Sequence, residues 1–460
     1  MSLIKSISGI RGTIGGKTDE NLTPLDIVKF TSAFGCWLQH NRGKQNLTLV
    51  IGRDARISGQ MVSSLVISTL QGLGINVIDL GLSTTPTVEI MVTETHADGG
   101  IILTASHNPK QWNALKLLNE KGEFITAENG AEVLKLAAEE NFIYADVDHL
   151  GTCETRSDAI DIHIARILQL PVVNAEAIRA KHFRIVVDAV NSTGGIAIPK
   201  LLETLGCEVI RLYCEPNGQF PHNPEPLKEH LTDICKMVKK EKADLGIVVD
   251  PDVDRLAIID ENGEMFGEEY TLVAVADYLL RQKKGFAVSN LSSSRALRDV
   301  ARKLGSDYAA SAVGEVNVVT LMKEKNAVIG GEGNGGVIYP DLHYGRDSLV
   351  GTALFLTHLA QENKTVSELR KTYPSYFMGK KKMELTPEIN VDDLLTKVQK
   401  EYPNDEVSTV DGVKIDFPNN WVHLRKSNTE PIIRIYTEAS TQQEADELGD
   451  RMIGKIKSLI

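Results

Sequence analysis

Residues 245–255 read LGIVVDPDVDR, an apolar run that stops abruptly at a cluster of aspartates. Four further segments have the same form: NLTLVIGRDAR (46–56), GGIILTASHNP (99–109), RIVVDAVNSTGG (184–195) and NAVIGGEGNGG (326–336). Short β-favouring runs without polar alternation predict strands that are buried on both faces. Segments 59–74 and 195–206 place apolar residues at three- and four-residue spacing and end on Gly, which predicts helices. This alternation of strand, polar loop and helix predicts two or three similar mixed α/β domains in series.

The C-terminal part of the chain follows a different pattern. A helical segment (VDDLLTKVQKEYP) precedes alternating segments typical of antiparallel strands, and the helical segment TQQEADELGDRMIGKIKSLI closes the chain. These segments predict a smaller α+β domain with its helices on one side of the sheet. The composition shifts predict four domains, at residues 1–150, 151–256, 257–370 and 371–460. A length of 460 residues agrees with three or four domains of roughly 100–200 residues each.

Composition and charge exclude several classes of protein. The chain has 50 Lys and Arg against 62 Asp and Glu, a formal net charge of −12, which argues against a nucleic-acid or membrane-surface binder. It contains no apolar run of the ~20 residues that span a bilayer, and MSLIKSISGIRG is not a secretory signal. The five cysteines are scattered without CxxC spacing, as expected of a cytoplasmic protein without disulfides or structural zinc.

Two of the loops after the predicted strands carry reactive groups. Ser106 lies in TASHNP, at the end of a strand where α/β folds place their chemistry, and His107 beside it is a candidate base. In isolation this hexapeptide also fits an Asn-Pro turn with a capping serine. The aspartates of DPDVDR at i, i+2 and i+4 can converge on one hard cation; the alternative is an acidic turn neutralised by Arg255. An EF-hand is excluded because Arg255 stands where that loop needs Gly.

Two other loops point to ligand binding. GEGNGG (331–336) matches G-x-G-x-x-G, but VIYPDLHYG follows it instead of a helix, which argues against a dinucleotide site. Its carboxylate and amide suit hydrogen bonds to vicinal hydroxyls. RKSNTE (425–430) gathers cations, hydroxyls and an amide that can bind phosphate, although a polar hairpin is the alternative, and Arg11 between glycines is a weaker anion signal. No Walker A motif is present. The set of loops therefore predicts phosphoryl transfer to or from a phosphorylated sugar or polyol, without ATP as the donor.

These loops, in this order and over the whole chain, resemble those of the α-D-phosphohexomutase family. TASHNP resembles the family's phosphoserine loop, DPDVDR its magnesium loop, GEGNGG its sugar loop and RKSNTEP its phosphate loop. The resemblance implies three related α/β domains and a smaller C-terminal α+β domain around a central cleft.

The resemblance also implies roles for individual residues. Ser106 would carry the phosphoryl group, and Arg11 and Lys116 would flank the reacting phosphate, with Lys116 a candidate for proton transfer. Arg255 would close the metal loop, and Glu332 and Asn334 would bind sugar hydroxyls. The remaining implied ligands are Asp250, Asp252 and Asp254, which would hold Mg²⁺ with a phosphoserine oxygen, and Arg425, Ser427, Asn428 and Thr429, which would hold the non-reacting phosphate.

Two positions depart from the family pattern. Many relatives have G-E-x-S-G-H in the sugar loop, where this chain has Asn334 and Gly336, so His343 or Arg346 is a candidate substitute for the missing His. Lys426 stands where Pro or Ala is frequent and adds a cation to the phosphate loop. The Asn-Gly-Gly version is similar to that of archaeal phosphoglucosamine mutases and mannomutases.

The sequence thus predicts reversible transfer of phosphate between O6 and O1 of a hexose phosphate through a 1,6-bisphosphate. Glucosamine phosphate is the first choice of substrate, and glucose or mannose phosphate is the alternative. A sugar-phosphate phosphatase, a kinase or a non-catalytic sensor are rival functions. The expected cofactors are Mg²⁺ and a hexose 1,6-bisphosphate, and the expected state is a cytoplasmic monomer or homodimer without nucleic-acid or membrane partners.

Overall fold

The computed structural model describes residues 2–6, 9–43, 46–386, 389–426 and 432–460. The chain divides into two compact units. Unit 1 comprises Met1–Thr271 and Asn334–Leu369, and unit 2 comprises Leu272–Gly333 and Arg370–Ile460. The chain therefore leaves unit 1 after Thr271, returns to it at Asn334 in the middle of the GEGNGG segment, and leaves it again after Leu369.

Unit 1 begins with a seven-stranded sheet in the order β1-β2-β6-β5-β3-β4-β7. Strands β5, β3, β4 and β7 are parallel to one another, while β6, β2 and β1 add antiparallel strands at the other side. The elements of this part are β1 (Ile4–Ser6), β2 (Gly9–Thr13), α1 (Pro24–Arg42), β3 (Thr48–Arg53), α2 (Gly59–Gly72), β4 (Asn76–Leu82), α3 (Thr85–Glu94), β5 (Gly99–Leu103), β6 (Trp112–Leu118), α4 (Ala127–Glu139) and β7 (Cys153–Thr155).

A second sheet in unit 1 has the order β11-β10-β8-β9, with β10, β8 and β9 parallel and β11 antiparallel. Its elements are α5 (Ala159–Leu168), α6 (Ala175–Lys181), β8 (Arg184–Asp188), α7 (Gly194–Thr204), β9 (Glu208–Leu212), α8 (Thr232–Glu241), β10 (Leu245–Val249) and β11 (Leu256–Ile259). All five residues of β10 are buried, as its uninterrupted apolar run predicts.

Parallel strands in the order β13-β12-β14 lie in unit 2. The elements that follow β11 along the chain are α9 (Glu268–Gln282), β12 (Phe286–Asn290), α10 (Ala296–Lys303), β13 (Asp307–Ser311), α11 (Glu315–Lys325), β14 (Ile329–Glu332), β15 (Gly336–Ile338), α12 (Ser348–Glu362) and α13 (Val366–Arg370). The GEGNGG segment thus leads into strand β15, which agrees with the rejection of a dinucleotide site.

An antiparallel sheet in the order β16-β20-β19-β18-β17 ends the chain in unit 2. Its elements are β16 (Phe377–Glu384), α14 (Val391–Lys400), β17 (Glu406–Ser408), β18 (Val413–Asp416), β19 (Trp421–Lys426), β20 (Ile432–Ala439) and α15 (Gln442–Leu459). Leu394 and Val398 of α14 pack with Leu448 and Met452 of α15 in one core that includes the apolar face of the sheet. The predicted α+β character of this region is confirmed.

The predicted fold class is confirmed, because mixed α/β sheets precede a smaller α+β domain. The predicted helices at 59–74 and 195–206 are α2 and α7, and each quoted apolar run is a strand. Helix α2 buries Val62, Val66 and Leu70 at successive turns, as its spacing predicts. In the described part of the chain, no helix is both long enough and apolar enough to cross a membrane.

Candidate active site

The serine loop follows β5 and has an unusual backbone. Ser106 is buried and has a φ of 49°, in the left-handed region that non-glycine residues rarely adopt. Its N–H donates to Thr104 Oγ1 at 2.9 Å, and the Thr104 hydroxyl donates to Asp54 Oδ2 at 2.7 Å. Such a conformation persists only when the surrounding structure holds it.

Arg56 provides most of that support. Its buried guanidinium donates to the backbone carbonyls of Ser106, Asn108 (2.7 Å) and Pro109 (2.7 Å), and also to that of Trp112 (3.1 Å). Asp54 accepts from Arg56 Nε at 2.9 Å and compensates the buried charge. Arg56 therefore holds the backbone of the serine loop on both sides of His107.

The metal loop follows β10 and presents three buried carboxylates. Asp250, Asp252 and Asp254 each offer an oxygen, and these three atoms lie within 4.8 Å of one another. Val253 between them has a φ of 67°, a rare conformation for a β-branched residue. Within the described residues this is the one group of three or more His, Cys, Asp or Glu side chains close enough to share a metal ion.

The serine loop and the metal loop meet at a hydrogen bond. Ser106 Oγ donates to Asp250 Oδ2 at 2.8 Å, so residues 144 positions apart in the chain are in contact. Burial and the neighbouring carboxylates of Asp254 and Asp252 raise the pKa of Asp250 well above its usual value. The structure therefore brings the predicted nucleophile to the predicted metal ligands.

Lys116 on β6 neutralises part of the acidic cluster. Its Nζ lies 2.7 Å from Asp252 Oδ2 and 3.7 Å from Asp254 Oδ2. Burial lowers the pKa of Lys116, but the two carboxylates outweigh burial and raise it. Thr85 at the start of α3 also donates to Asp252 Oδ2, at 2.6 Å. Although burial disfavours the charged form of Asp252, these partners hold its pKa below the usual value.

The oxygens that remain fit a hard divalent cation. Asp252 Oδ1 and Asp254 Oδ1 are buried and have no hydrogen-bond partner among the described residues. A buried carboxylate oxygen without a partner is costly, and an all-oxygen donor set suits Mg²⁺ or Mn²⁺. The donor set therefore fits the predicted magnesium ion.

Two arginines lie close to the serine loop, which itself contains His107. Arg11 on β2 donates to Asn108 Oδ1 at 3.0 Å, and Arg255 donates to Glu225 Oε1 at 3.1 Å. Burial lowers the pKa of His107 to about 2, and the charges of Arg255 and Arg11 add to this effect. His107 is therefore a neutral imidazole with Nδ1 3.4 Å from Ser106 Oγ, but a group with so low a pKa is a weak proton acceptor.

The predicted sugar-loop residues belong to different units and are each held firmly. In unit 2, Glu332 Oε1 accepts from Asn290 Nδ2 at 2.9 Å and from the Gly314 N–H at 3.2 Å. In unit 1, Asn334 Oδ1 accepts from the Gly336 N–H at 3.2 Å. Gly335 O accepts from the Leu256 N–H at 3.1 Å, directly after the metal loop.

Arg425 is the first residue of the predicted phosphate loop and belongs to unit 2. Its Nε forms an ion pair with Asp411 Oδ2 at 2.8 Å, and the same oxygen accepts from the Val313 N–H at 3.0 Å. Ser427, Asn428 and Thr429 lie outside the described residues.

Comparison with known proteins identifies the family of this chain. Four profiles of the phosphoglucomutase/phosphomannomutase family match the chain in order. Alpha/beta/alpha domain I matches residues 3–143, domain II residues 161–263, domain III residues 267–376, and the C-terminal domain residues 380–455. The chain belongs to the phosphoglucomutase/phosphomannomutase family. This confirms the α-D-phosphohexomutase resemblance, and the chain is an intramolecular phosphotransferase, an isomerase.

Individual relatives match over nearly the whole chain. A phosphoglucomutase/phosphomannomutase of Thermococcus kodakarensis is 37% identical over 95% of this chain and 96% of that protein. A probable phosphoglucosamine mutase of Methanopyrus kandleri is 33% identical over 98% of this chain and 97% of its own length. The crystal structure of a family protein from Burkholderia thailandensis has a TM-score of 0.86 and 25% identity, over 99% of this chain and 98% of that one.

Several residues of this mutase site were missed by sequence reasoning. Arg56 stands in the quoted segment IGRDAR, but nothing local shows that its partners lie in the serine loop. Glu225 pairs with Arg255, and Arg346 donates to Asp254 Oδ2 at 2.8 Å. From the sequence, Arg346 and His343 were predicted only as candidate substitutes for a missing histidine.

His343 lies in a buried cluster next to Arg346. Its Nδ1 is 3.2 Å from Glu89 Oε2, and its Nε2 is 3.2 Å from Asp347 Oδ2, which also lies 2.9 Å from His163 Nε2. Burial lowers the pKa of His343, but Asp347 and Glu89 outweigh it and raise the pKa to about 10. The imidazolium thus joins α3 to the loop that carries Arg346.

Replacing Arg56 tests its support of the serine loop. Arg56→Gln leaves several buried carbonyls unpaired, so Ser106 should lose its fixed direction. We expect the rate of phosphoryl acquisition at Ser106 to fall about 10²-fold, the effect of small misplacements of reacting groups. Quenched-flow labelling with a hexose 1,6-bisphosphate measures this rate, and Arg156→Gln, at a half-buried arginine paired with Asp158, is the matched control. An unchanged rate in Arg56→Gln would contradict the assignment.

Removing the His343 charge should produce a pH-dependent loss of stability. We expect His343→Gln to lower the free energy of unfolding by about 3–5 kcal/mol at pH 7, because it leaves two buried carboxylates without their cation. The raised pKa means that this stabilisation is complete below about pH 6.5 and is lost as the pH rises through about 10. The difference in free energy of unfolding between wild type and His343→Gln, measured by urea unfolding, should therefore be smaller at pH 10 than at pH 7. His40→Gln on the surface of α1 is the control, and a pH-independent difference would show that His343 is uncharged.

Proposed function

We propose that this enzyme reversibly transfers phosphate between O6 and O1 of a hexose phosphate. The observation that carries the proposal is the 2.8 Å hydrogen bond from Ser106 Oγ to Asp250 within the buried aspartate cluster. A serine held at a cluster of metal-binding carboxylates is suited to carry a phosphoryl group, whereas sugar-phosphate binding alone needs neither group. This favours a mutase over a non-catalytic sensor.

The transfer takes place in two steps. As the P–O bond to Ser106 Oγ breaks, phosphorus bonds to the free hydroxyl oxygen of the hexose phosphate; that hydroxyl loses its proton, and Ser106 Oγ takes one up. The resulting 1,6-bisphosphate reorients, and its other P–O bond breaks as that phosphate returns to Ser106 Oγ. The released sugar oxygen takes up a proton, and Ser106 Oγ loses its own proton. Asp250 at 2.8 Å and the neutral His107 at 3.4 Å are within reach of that proton. Lys116, which holds its proton, suits the role of acid toward the sugar oxygen.

The chain's oxygen ligands would hold a magnesium ion. Asp250, Asp252 and Asp254 would bind it together with an oxygen of phosphorylated Ser106, and its charge would stabilise the phosphoryl group during transfer. Lys116 and Thr85 both contact Asp252 Oδ2, whereas the buried Oδ1 has no hydrogen-bond partner among the described residues. A hexose 1,6-bisphosphate would prime a serine that has lost its phosphate.

Residues other than Ser106, Lys116 and the three aspartates would bind the rest of the substrate. We assign Arg11 and Arg255 to the reacting phosphate, and Glu332 and Asn334 to sugar hydroxyls. Arg425, with Ser427, Asn428 and Thr429, would bind the phosphate that is not reacting. The ion pair with Asp411 holds Arg425 in place, which supports its proposed role as a phosphate-binding cation.

Glucosamine phosphate is the proposed substrate. The relative from Methanopyrus kandleri and a phosphoglucosamine/phosphogalactosamine mutase of Sulfurisphaera tokodaii, 31% identical over 100% of this chain and 99% of that protein, support this choice. The Thermococcus kodakarensis relative favours glucose or mannose phosphate as the alternative. Coupled assays of the 6-phosphates of glucosamine, glucose and mannose, compared by kcat/KM, decide between them. A highest value with glucose or mannose would contradict the first choice.

Ser106→Ala should abolish mutase turnover while leaving the fold and the affinity for hexose phosphate nearly unchanged, because only one oxygen is removed. Intact-mass analysis should show one phosphate on wild type after incubation with a hexose 1,6-bisphosphate, and none on the variant. Ser64→Ala on the surface of α2 is the control. A phosphate that persists on Ser106→Ala would remove Ser106 from its role.

Metal binding should depend on the aspartate cluster. Asp252→Asn removes one negative charge and one strong oxygen ligand, so we expect the Kd for Mn²⁺ to rise at least about tenfold, with a lower turnover. Titration followed by electron paramagnetic resonance measures the affinity, with the exposed Asp158→Asn as control. Full turnover of wild type in excess chelator would overturn the metal assignment.

A further inference from the structure

Arg346 and Gly336 occupy one space beside the metal loop. A Cβ built on Gly336 would lie 2.3 Å from Arg346 Cδ and 3.0 Å from Arg346 Cγ, far inside van der Waals contact. The arginine stem therefore fills the volume into which any side chain at position 336 would point. Gly336 is needed for this arrangement, because a larger residue would force Arg346 to move.

The head of Arg346 reaches the aspartate cluster. Nη2 donates to Asp254 Oδ2 at 2.8 Å, and both side chains are buried. Lys116 Nζ lies 3.7 Å from the same oxygen, so two cations approach Asp254 while Oδ1 has no partner among the described residues. The charge of Arg346 also contributes to lowering the pKa of His107, after burial, Arg255 and Arg11, which places it near the serine loop.

The backbone around Arg346 is held on both sides. His343 is fixed between Glu89 and Asp347. The Asp347 N–H donates to Val337 O at 2.8 Å, and its Oδ1 caps α12 by accepting from the Leu349 N–H at 2.8 Å. The Ser348 N–H donates to Val253 O at 3.2 Å in the metal loop itself. The position of Arg346 relative to Asp254 is therefore preorganised before substrate binds.

A preorganised cation at this place has a use in phosphoryl transfer. Among the described residues, the ion pairs of the three carboxylates are with Lys116 and Arg346, and the arriving phosphoryl group would add further negative charge. Fixed donors aimed at that charge stabilise the transition state strongly in a buried site. We propose that Arg346 is a further catalytic residue, whose guanidinium contacts the phosphoryl group as it leaves and returns to Ser106. This inference rests on the proposed function.

Variants at position 346 separate this role from a merely structural ion pair. At saturating metal and substrate, Arg346→Gln should lower the single-turnover rate of transfer from phosphorylated Ser106 about 10²–10³-fold, and Arg346→Lys should recover part of it. Removing a positive charge next to Asp254 should leave Mn²⁺ affinity equal or tighter. Arg281→Gln, which breaks an Arg–Asp pair on α9, is the matched control and should keep the wild-type rate.

A double-mutant cycle tests the shared space. Gly336→Ala alone should displace Arg346 and lower the transfer rate, whereas adding it to Arg346→Ala should change the rate little. Circular dichroism reports whether each variant folds. If Arg346→Ala does not fold, Gly336→Ala alone still tests whether displacing Arg346 lowers the transfer rate. A wild-type rate in Arg346→Gln, additive effects in the cycle, or a loss explained wholly by weaker Mn²⁺ binding would overturn the proposal.

The same measurements keep this proposal distinct from the proposed function. A wild-type enzyme that gains no phosphate on Ser106 and turns over no hexose phosphate overturns both. A wild-type enzyme that turns over, together with an equally fast Arg346→Gln, overturns only the role of Arg346.

Discussion

Three buried carboxylates in the metal loop repel one another, and the residues around them are arranged to balance this repulsion. Asp250, Asp252 and Asp254 stand at the end of β10, out of water, with ligand oxygens within 4.8 Å of one another. Charges buried in this way are tolerated only with partners of opposite charge or hydrogen-bond donors. Such groups come from distant segments: Lys116 from β6, Thr85 from α3, Ser106 from the serine loop and Arg346 from the loop before α12. The need to balance one acidic loop thus brings several parts of unit 1 to one place.

Backbone strain occurs in both the serine loop and the metal loop. Ser106 and Val253 both have positive φ values, and each lies between residues that are hydrogen-bonded to the surrounding structure. Arg56 supports the strained conformation at Ser106 by binding the carbonyls of the loop, and the Ser106 hydroxyl donates to Asp250. For the proposed role of Ser106 as phosphoryl carrier, a serine that is already held in place needs little rearrangement, which lowers the cost of reaching the transition state.

The sequence predicts what depends on local pattern and misses what depends on distant contacts. Uninterrupted apolar runs were sufficient to predict the strands. The polar residues that follow β5 and β10 were sufficient to single out Ser106 and the three aspartates as candidate site residues. Arg56 and its acceptor Ser106 are 50 positions apart, and Arg346 and Asp254 are 92 apart. No periodicity reports such pairs, because they depend on how the strands are ordered in the sheets. The absent histidine at Gly336 left His343 and Arg346 as equal candidates, and only the structure shows that Arg346 fills that space while His343 lies between two carboxylates.

The residues proposed for chemistry belong to one unit, whereas those proposed for recognition are divided between both units, with Asn334 in unit 1. Ser106, the aspartates, Lys116 and Arg346 all belong to unit 1, whereas Glu332 and Arg425 belong to unit 2. Within unit 2 the adjacent amides of Val313 and Gly314 donate to Asp411 and Glu332, and Asp411 pairs with Arg425. The carboxylate proposed to bind hydroxyls and the arginine proposed to bind phosphate are therefore held, directly or through Asp411, by neighbouring peptide groups of one loop. This loop is separate in sequence from the carboxylates and cations proposed to move the phosphoryl group, which is consistent with relatives of this chain being named for different hexose phosphates.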